Sequence, residues 1–153
     1  MSGAADLLWR VNNEYTKRLT HVNNTLNLLV QLMLVQPEEP HERVQAALHH
    51  ALEQVQTMLE EHRVWRYTYF YESLETRRMV QSVNAINRAL ARFTRMRNQH
   101  ERRLNDLRSL LGHLPRPDPD LTRVPNGDLW QMTEFALNDL NHFDDYMREL
   151  SSA

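Results

Sequence analysis

The side chains best suited to chemistry in this chain are its eight histidines and its twenty carboxylates. A di-iron helical bundle needs Glu-x-x-His on two helices, together with two further inward-facing glutamates. Here only Glu38 and His41 have that spacing, with Pro40 between them, and Asp139 with His142 is a weaker match. His-Glu-x-x-His, the spacing of a helical zinc site, does not occur. The sequence therefore predicts no metal site and no cofactor.

Groups for nucleophilic or phosphate chemistry are also scarce. The chain has no cysteine, which excludes a thiol nucleophile and a cysteine-ligated zinc site. It contains no Gly-x-Ser-x-Gly, and its three glycines are too few to build a loop of backbone N–H groups around a phosphate. These absences predict that the protein is not an enzyme.

A row of arginines is a better candidate for a binding site. Arg88, Arg92, Arg95 and Arg102 stand at i, i+4, i+7 and i+14, which places them on one face of a helix. Such a row suits an acidic protein surface. Nucleic acid is not expected, because the net charge is −2 and no aromatic residue interrupts the row. An internal alternative is open, because residues 127–150 carry six acids against one arginine and would attract this basic helix.

The second candidate is the aromatic run at residues 65–72, in which five of eight side chains are rings. Tyrosine and tryptophan are enriched at binding hot spots, so exposed members of the run would form a contact site. On a helix no single face contains all five rings, and the alternative is a packing hub covered by other helices. The candidate partner-binding rings are Trp65, Tyr67, Tyr69 and Tyr71.

The elements that must position these residues are helices. With 153 residues, few glycines and few prolines, the chain predicts one all-α domain over residues 1–153. The first apolar stripe alternates in steps of three and four from Leu8 to Met33, as one helix face does. Breaks at Pro37 and Pro40, and a Pro-rich connector at 113–126, separate the segments. We expect helices at about 5–36, 41–72, 76–111 and 128–150.

The stretch from His41 to Leu111 contains neither glycine nor proline, which raises the question of whether it is one helix. A single helix of that length would span about 107 Å, and nothing else in the chain is long enough to cover it. The apolar phase slips between Tyr71 and Met79, where Ser73 or Thr76 suits a helix N-cap. We therefore predict an antiparallel four-helix bundle. The alternative is an elongated coiled-coil dimer in which helices two and three are continuous.

Residues 59–72, and above all Tyr67-Thr68-Tyr69-Phe70-Tyr71, resemble the aromatic signature of the Ariadne domain. That helical domain follows the catalytic RING-type modules of the Ariadne ubiquitin ligases. The resemblance covers roughly residues 5–112. It departs from the family pattern at Glu61-His62, where the family carries a Cys-Arg pair. It implies a regulatory, non-catalytic domain that masks the ligase's catalytic module until a partner releases it.

Together these features predict a protein-interaction or regulatory module, with a protein partner and no membrane segment. No apolar run approaches the ~18 residues of a membrane span and no signal-peptide pattern opens the chain, so the expected location is cytoplasmic or nuclear. Two other functions stay open at this point. One is a self-associating structural protein, a homo-oligomer, and the other is a helical binder of acidic partners or nucleic acid through the arginine row.

Overall fold

In a computed structural model, which describes residues 3–35, 42–71, 83–114 and 127–151, the protein is all-α. Helix α1 spans Gly3–Val35 and α2 spans Glu42–Trp65, and α2 continues into a π-helical turn at Arg66–Tyr71. Helices α3 and α4 span Val83–Gly112 and Gly127–Ser151. The predicted fold class is confirmed, and within the described ranges there is no strand.

The four helices form an antiparallel bundle in which each helix lies beside the next one along the chain. Helix α1 also packs against α4, which closes the ring, and contacts α3 across the diagonal. Contacts at two levels give the helix directions: Arg18 lies over the Tyr146 ring and Thr25 contacts Asp139, so residue numbers run in opposite directions along α1 and α4. The order is likewise reversed between α2 and α3, where Glu61 pairs with Arg103 and Trp65 contacts Ala89. Because α1 touches all three other helices, its apolar stripe is buried from Leu8 to Leu29: Leu8, Val11, Tyr15, Leu19, Val22, Leu26 and Leu29 are each at most 1% exposed.

Helices α2 and α3 fold back on each other. Glu61 forms an ion pair with Arg103, and a straight helix would hold these residues about 63 Å apart. The alternative of a continuous, elongated second and third helix is therefore wrong for this chain. The segment that contains Ser73 and Thr76, the breaks at Pro37 and Pro40, and the connector from 115 to 126 lie outside the described residues.

The ends of α2 and α3 differ from the expected positions. Regular α-helix ends at Trp65, not at residue 72, and the backbone then widens into a π turn. Most residues of this turn are aromatic or β-branched, and such residues favour the α-helix less than straight-chain residues do. Gly112, expected just beyond α3, is its last helical residue. The N–H of His113 donates to the Ser109 carbonyl at 3.1 Å, and this bond closes the last helical turn, which contains the glycine.

Candidate partner-binding surface

Trp65 is a core residue at the end of α2. Its side chain is 3% exposed, and its indole Nε1–H donates to the Ala89 carbonyl on α3 at 2.9 Å. The indole ring lies 5.3 Å, centroid to centroid, from both His62 and Phe93. Among the predicted contact rings, Trp65 therefore packs α2 against α3 and is not available at the surface.

A cluster of rings at the bundle centre surrounds Tyr15, which is fully buried on α1. Phe93 of α3 and Phe143 of α4 meet its ring edge to face at 5.1 and 5.2 Å. His62 of α2 lies at 5.0 Å and His100 of α3 at 5.9 Å. All four helices thus contribute a ring, and offset or edge contacts of this kind add to the energy of burial.

A series of polar contacts runs from the centre of this cluster towards the surface. The Tyr15 hydroxyl lies 2.5 Å from Nδ1 of His100, and Nε2 of His100 lies 3.4 Å from Oε2 of Glu61. Glu61 in turn pairs with Arg103. Burial lowers the pKa of His100 and raises that of Tyr15, so both groups are neutral. The contact of Nε2 with Glu61 lacks hydrogen-bond geometry, but the nearby carboxylate favours the neutral tautomer that carries its proton on Nε2, and the phenol then donates to Nδ1.

His62 forms the second buried polar contact. Its Nδ1 lies 2.6 Å from Oγ1 of Thr16, and the same hydroxyl lies 3.3 Å from the Asn12 carbonyl. Because a carbonyl only accepts, Thr16 donates to Asn12 and accepts from Nδ1–H. Burial, reinforced by Arg66 and His100, lowers the pKa of His62 to about 3. Nε2 is then an unprotonated acceptor, and it has no hydrogen-bond partner among the described residues.

This buried centre fixes the helices in register. Tyr15, His62 and His100 are each at most 1% exposed, so a substrate does not reach them without opening of the bundle. His62 and His100 continue the three- and four-residue steps of the apolar stripes of α2 and α3, and this spacing is a sequence signal for burial. The partners on other helices, Tyr15, Thr16 and Glu61, carried no recognisable spacing because they lie 39 to 85 residues away.

The four predicted arginines, Arg88, Arg92, Arg95 and Arg102, are all exposed on α3 and are called the Arg face below. None of them forms an ion pair with a carboxylate in the described part of the chain, and only Arg92 contacts a ring, at 5.6 Å from the Tyr69 centroid. The expected attraction between α3 and α4 is present elsewhere. It is carried by Arg108, whose guanidinium lies 3.0 Å from the carboxylate of Asp144.

The remaining candidate rings divide between core and surface. Tyr67 is 74% exposed on the π turn, and Val64, one turn earlier, is 50% exposed. Tyr69 is half-buried against the core and lies beside Arg92. The side chain of Tyr71 lies outside the described residues. The structure therefore joins Tyr69 to the Arg face and leaves Tyr67 as a separate exposed ring.

A groove of about 510 Å³ between α1 and α4 is also lined by polar side chains. Its members include Lys17, His21, Asp139 and His142. The carboxylate of Asp139 is already engaged, by His21 Nε2 at 3.1 Å and by the hydroxyl of Thr25 at 2.8 Å. In residues 3–35, 42–71, 83–114 and 127–151, no three His, Asp or Glu side chains are arranged to hold a metal ion.

None of the helices in the described ranges has the length and apolar character needed to cross a membrane. Comparison with models of known protein families, with curated protein sequences and with solved structures finds no match to the chain. The resemblance of residues 67–71 to the Ariadne domain therefore stays a hypothesis that depends on those residues alone.

Proposed function

We propose that this chain is a non-catalytic helical module that binds an acidic protein surface through the Arg face. One observation carries the proposal. Four guanidinium groups project into solvent from a single side of α3, and none has a carboxylate partner within the described residues, although α4 beside it carries acids. Arginine offers a planar, permanently charged group that pairs with carboxylates through two hydrogen bonds, so an unpaired row favours an external acidic partner.

The buried centre supports this function by holding α3 in place. His100 and Phe93 pack into the core from α3, while Arg103 pairs with Glu61 of α2. These contacts fix the rotation of α3 about its axis, and that rotation decides which side chains face solvent. A fixed row of charges loses less conformational freedom on binding than a mobile one, which favours affinity.

A narrower version of the proposal places the module in ubiquitin ligation, as a regulatory domain similar to the Ariadne domain. Its support is the run of rings from Tyr67 to Tyr71, and the exposure of Tyr67 adds a surface ring that a ligase module would contact. We further propose action in the cytoplasm or nucleus, since the chain has no cysteine that would use an oxidising compartment.

Site-specific photocrosslinking tests the proposal. A photoreactive residue at position 95, in the full chain, should capture a protein through an acidic segment, and one at the exposed Lys17 should not. Binding of the captured protein to purified variants then gives the decisive comparison. Arg88→Glu with Arg92→Glu should weaken binding at least tenfold, while Arg10→Glu with Lys17→Glu, on exposed positions of α1, makes the same charge change away from the Arg face.

Equal binding by the two double variants would refute a role for the Arg face. Light scattering on the same samples addresses the self-association alternative. A wild-type dimer that dissociates when Arg88 and Arg92 are reversed would identify the acidic partner as a second copy of the chain, whereas a monomer in all samples excludes that alternative.

A further inference from the structure

The Arg face has a regular repeat along α3. Its arginines, with Gln99 between Arg95 and Arg102, occupy five successive positions at steps of four, three, four and three residues, and all five side chains are exposed. The row extends over 14 residues, or about 21 Å of helix. An average step of 3.5 residues is the spacing at which one α-helix follows another along a coiled-coil seam.

This repeat indicates the secondary structure of the partner segment. A helix lying at about 20° to α3 keeps its own 3.5-residue row in contact with the Arg face along its length. Carboxylates at the same steps of four and three then meet the guanidinium groups one by one. A β-strand advances about 6.6 Å between side chains on the same side, so it loses register with rows separated by about 6 and then 4.5 Å.

The surroundings of the row favour a charged seam over an apolar one. Ala91 beside it is small and exposed, so a partner backbone meets no bulky side chain there, and Gln99 within it is polar and neutral. Tyr69 lies under Arg92 and limits its orientation at one end of the row. On this basis, and resting on the proposed function, we propose that the partner presents an acidic α-helix, with carboxylates at four- and three-residue steps, that lies along α3.

The test uses synthetic peptides and the full chain. The probe is an alanine-rich, acetylated and amidated 21-mer with Glu at steps of four, three, four and three. A second peptide has the same composition with Glu distributed around the helix, and a third keeps the Glu spacing but contains a central proline that breaks the helix. A single-stranded DNA oligomer of equal charge is the fourth ligand. Fluorescence anisotropy at 50 and 150 mM salt measures each affinity.

We expect the striped helix to bind at least tenfold more tightly than the distributed or proline peptide, and to lose affinity at the higher salt because exposed ion pairs are screened. Arg92→Glu with Arg95→Glu should abolish that preference, and Arg10→Glu with Lys17→Glu should retain it. Equal, Arg-dependent binding of all three peptides overturns the helical partner and leaves the proposed function standing. Tighter binding of the DNA than of the striped peptide overturns the inference. No binding of the striped peptide also overturns it, and the proposed binding of an acidic protein is then tested with the protein captured by photocrosslinking.

Discussion

The phenol of Tyr15 on α1 donates a hydrogen bond to Nδ1 of His100 on α3, across the diagonal of the bundle. Helices on a diagonal are usually separated by core side chains, and here a polar contact crosses that core. Directional hydrogen bonds specify one rotation and one axial position, whereas apolar packing tolerates several. The pair therefore fixes α3, which carries the Arg face, relative to α1.

Removing this hydroxyl should be costly. Tyr15→Phe leaves Nδ1 of His100 buried without its donor, and we expect the free energy of unfolding to fall by about 1–3 kcal/mol. Tyr146→Phe is the matched control, because the Tyr146 hydroxyl is buried and has no hydrogen-bond partner among the described residues. That change should be neutral or stabilising. Urea denaturation measures both, and equal losses would show that the Tyr15 contact contributes nothing specific.

The fold was predictable because each helix buries one narrow stripe. On α1, the steps of three and four residues from Leu8 onward identified the seven side chains that the structure shows at 1% exposure or less. A periodicity of 3.6 residues states which face is buried, and burial of that face is the largest favourable term in folding. The reversal between α2 and α3 was predicted from two features together: the length of the stretch, since a single long helix would have left most of its stripe uncovered, and the slip of the apolar phase between Tyr71 and Met79.

The contacts within the core were not predictable, because the repeat of apolar residues along one helix does not say which other helix its apolar stripe packs against. Nothing in the spacing of Glu61 relates it to His100 or Arg103 on another helix. The rings of the aromatic run were partner-binding candidates by residue type. Regular helical geometry places Trp65 and Tyr69, four residues apart, on one face and Tyr67 on another, and in the structure Trp65 is buried, Tyr69 is half-buried and Tyr67 is exposed.

Two rings of that run should respond very differently to truncation. Trp65→Ala removes a buried indole and its bond to Ala89, and we expect a loss of about 3–5 kcal/mol. Tyr67→Ala removes a ring that is 74% exposed, so the change should stay within about 0.5 kcal/mol. Thermal or urea unfolding compares the two variants. A large loss for Tyr67→Ala would mean that this ring packs against something in the folded protein.

The stability of the bundle should fall on acidification. Burial lowers the pKa of His62 from 6.5 to about 3 and also lowers that of His100. The unfolded chain therefore binds protons first as the pH falls below about 6.5, and the free energy of unfolding decreases from there towards pH 3. Each histidine contributes up to about 1.4 kcal/mol per pH unit, and little change from this source is expected above pH 7.

The slope of stability against pH separates this effect from a simple loss of packing. His62→Gln removes one titrating group, so between pH 6 and 4 the slope should fall by about one proton, whatever the variant loses at pH 7. His49→Gln, the same change at an exposed position of α2, is the matched control for the substitution itself. If His62→Gln titrates as steeply as the wild type, the buried histidine is not the group that destabilises the protein in acid.

Charge reversal on α3 should separate binding from folding. Arg88 and Arg92 are exposed and have no carboxylate partner in the described ranges, so Arg88→Glu with Arg92→Glu should change stability by no more than about 1 kcal/mol. Arg108 lies 3.0 Å from Asp144, whose side chain is 9% exposed. Arg108→Glu places a second negative charge beside that carboxylate, and a loss of about 2 kcal/mol or more is expected. Urea unfolding at low and high salt measures both, and a double variant as unstable as Arg108→Glu would show that the Arg face holds the bundle together.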